Sequence, residues 1–382
     1  MSVHTDKHLR IGIDCRLGGL AHAGIGRYIS ELLTELVLLT TNTTWILICQ
    51  SAAQSAELLA VIPTHVQQTC EVCIVPARPY SVLEQVLMPL QLYKLKLDLL
   101  HVPHFNVPLL YWKKTVITVH DLLWHEQRGV RVTTLHPIIY WLKYLVYRLV
   151  TWQAVTHAEH IFVPSAVVQK ILLQFYPQIA VEKITVTHES IGNELARTAA
   201  ALTPRTRKKN SILYVGSLYP HKNVSLIITA LKQVPDWHLR IVASRSVFLA
   251  ALKKEVIAQG VADRVHLLGK LSDSELAEEY ATATCLVQPS FSEGFGLTGL
   301  EAMAFSTPVL ASDIPIFHEV YQDAARYFDP HSVASFITAL TTHSSEFKSD
   351  TYKKALHRVR SQYSWRSLAR QTLAGYQSTL SV

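Results

Sequence analysis

Residues with chemical potential are concentrated between Pro289 and Ala304, where Glu293 and Glu301 stand eight positions apart around Gly294, Phe295, Gly296 and Leu297. The apolar run Cys285 to Val287 before them reads as a buried strand, and Leu300 to Phe305 reads as a helix with Glu301 in its first turn. A glycine-bearing turn between strand and helix leaves backbone N–H groups unpaired at a helix N-terminus, which suits an anion such as phosphate. Phosphate repels carboxylate. The glutamates therefore suit another task, accepting hydrogen bonds from the hydroxyls of a sugar or ribose attached to that phosphate. The plain alternative is a loop whose glycines only turn the chain and whose glutamates are solvated.

A second anion place is expected where the strand Ser211 to Val215 passes through Gly216 and Ser217 to a helix over Val224 to Leu231. Lys222, at the mouth of that helix, adds a full positive charge to its N-terminus. His120 directly follows the buried run Val116 to Val119, and His101 to Pro108 forms a proline-rich loop after another strand. A histidine at a strand's carboxyl end is open to use as hydrogen-bond donor, general base or metal ligand. Cys70 and Cys73 form a lone pair with no second pair to complete a zinc tetrahedron, and read as strand-edge thiols. No Asp-x-Asp pair stands in a suitable loop, so no metal is expected.

The elements that must hold these residues alternate strand and helix. Leu9 to Asp14 reads as a first strand, followed by a loop with Gly18, Gly19, Gly24 and Gly26 and a helix from Arg27 to Thr40. That is the opening of a doubly wound α/β domain. The third glycine of a dinucleotide fingerprint is missing after Gly24 and Gly26, which disfavours a nicotinamide enzyme. Strand candidates continue at Trp45–Cys49, Val72–Val75, Leu99–Val102, Ile161–Val163 and Ile184–Val186. Gly192 to Asn210, ending in a basic cluster, reads as an interdomain linker. The pattern then restarts with strands at Leu239–Ala243, Val265–Leu268 and Val309–Ala311, and a closing helix from Trp365. The expected domains are 1–200, with 365–382 crossing back onto it, and 201–364.

The bulk numbers agree with two domains: 382 residues, 49% hydrophobic and 17% charged. The net charge of +7 suits an acidic small molecule, an anionic membrane or nucleic acid without choosing among them. Five cysteines make an odd, sparse set, against a disulfide framework. Met1 to Arg10 shows no apolar core of a signal peptide, so the cytoplasm is the expected location. Pro137 to Trp152 is the greasiest stretch, interrupted by Lys143 and Arg148. A core helix with snorkelling cations is the favoured reading there, and a helix lying at an anionic bilayer interface the alternative.

Together these motifs resemble the retaining, family 4 type glycosyltransferases (glycosyl transferases group 1), strongest from Leu213 to Val320. The resemblance implies an α/β GT-B fold, two doubly wound Rossmann-like domains facing a cleft. By that likeness Glu301 holds the nucleotide ribose and Glu293 the transferred hexose. Gly294, Phe295, Gly296, Leu297, Ser217 and Lys222 surround the diphosphate, and Leu271 lies in the loop that reads the base. Gly24 and Gly26 match the first loop, facing the donor phosphates, and His120 matches the histidine lying against the transferred sugar. Two departures weaken the diphosphate site: Ser217 and His221 stand where many relatives carry arginine, which leaves more of the charge to Lys222.

The implied substrate is a nucleotide-diphospho-sugar, with no separate cofactor. The branch resembled favours a mannosyltransferase using GDP-mannose, and a UDP-sugar fits the same motifs. The implied acceptor is a saccharide or lipid-linked glycan of surface polysaccharide synthesis, such as lipopolysaccharide, with peripheral contact at the inner face of the cytoplasmic membrane. Nucleic acid is not an expected partner. Two other classes are weighed: a nucleotide-sugar epimerase or phosphorylase of the same fold, and a non-catalytic basic protein binding membrane or nucleic acid.

Overall fold

The computed structural model describes residues 8–19, 23–127, 129, 133, 136–203, 205–243, 247–342, 347 and 349–381. The chain divides into two compact units, Met1–Leu122 with Pro137–Glu189 and Ser364–Val382, and Leu123–His136 with Ser190–Tyr363.

The first unit is built on seven parallel strands, β1 (Leu9–Asp14), β2 (Thr43–Cys49), β3 (Cys70–Ile74), β4 (Leu99–Val102), β5 (Thr115–Thr118), β6 (His160–Val163) and β7 (Ile184–Val186). Their order is β3-β2-β1-β4-β5-β6-β7, with Ile11 opposite both Trp45 and Leu99. Short, uninterrupted apolar runs suit such strands because both faces of a parallel sheet are covered. The Ala23–Leu39 helix buries Tyr28, Leu32, Leu33, Leu36 and Val37 on one face of the sheet. The Trp365–Leu380 helix packs beside it and adds Trp365, Leu368, Ala369 and Tyr376 to the same core.

One expectation changes here. The helix starts at Ala23 rather than Arg27, so Gly24 and Gly26 lie in its first turn and not in a loop. Gly26 is required there, because the Gly19 carbonyl occupies the place of a side chain. The greasy stretch is a helix, Pro137–His157, but a core helix along one face only. Tyr140, Tyr144, Val150, Ala154 and Val155 are buried, while Ile138, Trp141, Leu142, Leu145, Leu149 and Trp152 are exposed. A helix apolar nearly all round leaves one side uncovered when only one side meets the sheet. No helix among the described residues is long and apolar enough to cross a membrane.

The second unit holds six parallel strands, β8 (Ser211–Val215), β9 (His238–Val242), β10 (Val265–Gly269), β11 (Cys285–Gln288), β12 (Val309–Ser312) and β13 (Arg326–Phe328), in the order β10-β9-β8-β11-β12-β13. The stretch expected as a bare linker instead contains the helix Asn193–Ala201, which packs on the helices Asp273–Thr282 and Leu297–Ala304 of this unit. Three of its basic residues find partners within this unit. Arg207 donates to the carbonyls of Ala283 (2.8 Å) and Ser306 (2.7 Å), and Lys208 and Arg205 pair with Glu279 and Glu278 at 3.4 Å.

Candidate active site

The second sheet reverses its strand order between β8 and β11, so the loops leaving their carboxyl ends diverge and open a place for a ligand. After β8 the chain turns at Gly216, and the Tyr214 hydroxyl donates to the Ser217 carbonyl at 2.5 Å. A single 3-10 turn, Pro220–Lys222, leads to left-handed Asn223 (φ 54°) and then the helix Val224–Leu231. The Asn223 amide donates to the carbonyls of Pro289 (3.1 Å) and Pro330 (2.9 Å), and the Phe291 N–H donates to the His221 carbonyl at 2.8 Å. These bonds stitch the β8 loop to the β11 loop.

The stitching brings two of the expected site residues together. Lys222 Nζ lies 2.6 Å from Glu293 Oε2, and Ser290 donates to Glu293 Oε1 at 2.7 Å. Burial pushes the Glu293 carboxyl up, but Lys222, Ser290 and His221 outweigh it and hold the group below the ordinary carboxylate range. Burial, helped by Lys222, pushes His221 down to about 4. His221 is thus neutral near pH 7, and Lys222 is the basic group of this turn that pairs with Glu293. A cavity of about 300 Å³ opens beside the loop, lined by Phe291, Asp313, Ile314, Asp329, Pro330 and His331. Phe291 and His331 stack across it at 4.9 Å.

The helix after the glycine turn begins at Leu297, not Leu300, so Glu301 falls in its second turn. Glycine at 296 and 299 argues against helix on propensity alone, but packing decides the matter. Gly296 is left-handed (φ 94°), and a side chain at either glycine would overlap Tyr321, whose hydroxyl lies against the Gly296 carbonyl. Glu301 is buried and accepts a hydrogen bond from the Tyr280 hydroxyl at 2.6 Å. Nothing in the spacing announces Tyr280, which reaches Glu301 from a neighbouring helix. Gly294, Phe295 and Gly296 occupy the turn, and Leu297 opens the helix. Leu271 stands apart, after edge strand β10 and just before the Ser272 cap of the helix Asp273–Thr282.

Gly24, Gly26 and His120 belong to the first unit, whose strand order reverses between β1 and β4. His120 follows β5. Its Nδ1 lies 3.0 Å from Glu189 Oε1 and its Nε2 lies 3.2 Å from the Pro103 carbonyl. The ring is thus fixed at both nitrogens, between a carboxylate and a backbone carbonyl. The Tyr28 ring packs against it edge-on at 4.5 Å. Glu189, 6% exposed, is a further residue that the motifs do not announce. Behind this pair runs a buried chain of contacts: Tyr28 to Thr118 at 3.1 Å, Thr118 to His101 at 2.9 Å, and His101 to Tyr376 at 2.5 Å. Arg16 locks the loop after β1, donating to Asp14 (2.6 Å) and Glu84 (2.6 Å), and Asn106 donates to Glu84 at 2.8 Å.

Among the described residues no group of three or more His, Cys, Asp or Glu is placed to hold a metal ion. Cys70 and Cys73 are free thiols on β3.

Residues 201–354 match the family described as Glycosyl transferases group 1. The O-antigen chain mannosyltransferase RfbU of Salmonella typhimurium is 32% identical over 241 residues, which span 62% of this chain and 62% of that protein. Sucrose-phosphate synthase from Thermosynechococcus elongatus superposes with a TM-score of 0.74 at 17% identity, over 98% of this chain and 99% of that one. HepE of Anabaena, solved in complex with UDP and glucose, superposes with a TM-score of 0.70 at 16% identity, over 97% of this chain and 100% of that one. The fold is therefore GT-B.

Proposed function

Starting from a chain that carries a Glycosyl transferases group 1 domain on a GT-B frame, we propose that it is a retaining glycosyltransferase moving a hexose from a nucleotide-diphospho-sugar to a glycan acceptor. One observation carries the reading: Lys222 and Glu293 meet at the β8/β11 switch point, beside the turn that leads to buried Glu301. A cation for the diphosphate and carboxylates for hydroxyls are the groups such a donor requires at one place.

In this reading Glu301, oriented by Tyr280, accepts from the ribose hydroxyls, and Glu293 accepts from the hexose. Backbone N–H groups from Gly294 to Leu297, with Lys222 and the Ser217 turn, take the diphosphate, and Leu271 sits at the base. The bond from the anomeric carbon to the diphosphate breaks, and its electron pair goes to the leaving oxygen. Lys222 and preorganised N–H groups stabilise that charge as it builds. The acceptor hydroxyl bonds to the same face of the anomeric carbon and gives its proton to the departing phosphate. His120, held by Glu189 and Pro103, acts on the sugar, and Gly24 and Gly26 let the first helix turn approach the phosphates. No metal enters the scheme.

The mannosyl relative supports mannose as the transferred hexose, with GDP-mannose as our first candidate donor, and the UDP complex of the fold neighbour keeps a UDP-sugar as the second. The same relative's O-antigen name supports surface polysaccharide synthesis, and to this we add, as our own reading, a lipid-linked acceptor at the inner face of the cytoplasmic membrane.

The test is hydrolysis of a panel of GDP-, UDP- and ADP-sugars by wild type and Glu293→Ala in parallel. One donor turned over by wild type and spared by the variant supports the reading and fixes the base. Equal turnover by both proteins, or neither turnover nor calorimetric binding of any donor, sinks it.

A further inference from the structure

The exposed face of the Pro137–His157 helix is not an isolated stripe. A second exposed apolar row, Leu83, Val86, Leu90 and Tyr93, runs along the helix Glu84–Lys94. A short loop joins the two rows. The Tyr93 hydroxyl donates to the Leu110 carbonyl and accepts from the Trp112 N–H, both at 3.2 Å. Trp112, itself 60% exposed, packs edge-on to His157 at 4.8 Å, and His157 also meets Trp152 at 6.2 Å. Gln153 donates to the Leu109 carbonyl at 2.9 Å, while the Leu109 N–H donates to Gln85 at 2.8 Å. Loop and helices are thus clamped into one apolar surface, far more than the single exposed residues normal on a protein.

Charge selects what covers it. Pro137–His157 contains no Asp or Glu. Between Val82 and Lys114 the carboxylates are Glu84, buried against Arg16 and Asn106, and Asp98, which accepts from the Arg10 N–H at 2.9 Å. The exposed charges of these two stretches are those of Lys94, Lys96, Lys113 and Lys143. A second copy of the chain seated on this face would bring like charges together. An anionic bilayer satisfies both features: apolar and indole side chains enter the headgroup–acyl boundary, and lysines meet lipid phosphates. We propose that this face, from Leu83 through Trp112 to the Pro137–His157 helix, docks the protein on an anionic lipid surface. The proposal deepens the membrane element of the proposed function and rests on that element alone, independently of transfer chemistry.

The test is co-sedimentation with vesicles of phosphatidylcholine, with and without phosphatidylglycerol, at low and high salt. Wild type is expected to pellet with the anionic vesicles, less so in salt, and to stay in solution with neutral ones. The double variant Leu142→Glu/Leu145→Glu is expected to stay in the supernatant with its thermal transition and donor hydrolysis unchanged. Lys94→Ser, Lys113→Ser and Lys143→Ser should each weaken binding about fivefold. Wild type remaining in solution with anionic vesicles at low salt, or the glutamate variant pelleting as wild type does, would overturn the proposal. So would sedimentation velocity showing that the glutamates abolish self-association while vesicle binding is unchanged. Loss of donor hydrolysis with vesicle binding intact would count against the transferase reading and leave the docking face standing.

Discussion

The Lys222 ammonium lies 2.6 Å from a carboxylate oxygen of Glu293, so the cation suited to a diphosphate and the acceptor suited to a sugar hydroxyl form one ion pair. A donor entering here meets a pair, not two independent groups, and must reapportion it. Lys222→Met is expected to weaken nucleoside diphosphate binding by about 10–100-fold, the worth of a charge-assisted hydrogen bond of ~1.5–3 kcal/mol. Glu293→Gln is expected to leave that affinity within about threefold while lowering turnover at least tenfold, because the lost contact is to the sugar. Calorimetry with the diphosphate alone and hydrolysis of the donor separate the two effects. Equal losses in both assays for both variants would show that the pair serves structure rather than recognition.

The same pair carries an acid signature. Glu293 is held below its ordinary range, so its contribution to stability is present above the unfolded carboxylate value and is lost as pH falls through the depressed one. Removing Lys222 leaves burial as the dominant influence and reverses the sign. A denaturant series is expected to show wild type more stable at pH 6 than at about pH 4, and Lys222→Met with that difference reduced. Identical pH dependence in the two proteins would rule out Glu293 as the group.

Glu301 depends on Tyr280, whose hydroxyl donates to it at 2.6 Å in a buried setting. Tyr280→Phe removes the bond and keeps the ring. The expected result is a donor KM raised about 3–10-fold, the equivalent of ~1 kcal/mol, with kcat little changed. A fall in kcat at constant KM would place Tyr280 in the reacting geometry instead of behind the ribose contact.

Strands β8 and β11 were legible because parallel strands are continuous apolar runs, and Lys222 and Glu293 because each follows such a run at a turn. Their pairing was not legible, since it depends on Asn223 and Phe291 stitching two loops together. Strand β13, Arg326–Phe328, is three residues at a sheet edge, too short to show a period. Glycines 296 and 299 concealed the true start of the Leu297–Ala304 helix, because propensity counts them against a helix while Tyr321 requires them. Glu189 and Tyr280 act through partners on other elements, and no local spacing encodes that.

Gly296 joins backbone and packing demands at one position. Its φ of 94° disfavours any L side chain, and Tyr321 and Phe317 fill the space that a side chain would need. Gly296→Ala is expected to cost about 1–3 kcal/mol, read as a lowered thermal transition together with lost donor turnover. Wild-type stability in that variant would show that the turn relaxes without difficulty.

In the first unit, Glu189 holds His120 at 3.0 Å and serves as its positioning residue. Glu189→Gln keeps the size and an acceptor but removes the charge. Transfer turnover is expected to fall about tenfold, in line with a charge-assisted hydrogen bond, with donor affinity unchanged and partial recovery in Glu189→Asp. A proportional loss of donor affinity would mean that the pair shapes the binding site as a whole.

His101 gives the fold its own response to acid. It is fully buried between Tyr376 and Thr118, and burial, helped by His120, pushes it down from 6.5 to about 3. Above 6.5 neither state binds the proton, so the group has no effect on the balance. Between that value and about 3 the unfolded chain binds a proton that the folded chain refuses, so stability falls as pH falls, with a slope of ~1.4 kcal/mol per pH unit for one proton. His101→Gln has nothing to titrate at this position. Urea unfolding measured at intervals from about pH 7 to pH 4 should show its slope lower than that of wild type by about that one-proton amount, whatever its absolute stability. An unchanged slope would mean that another buried histidine carries the acid sensitivity.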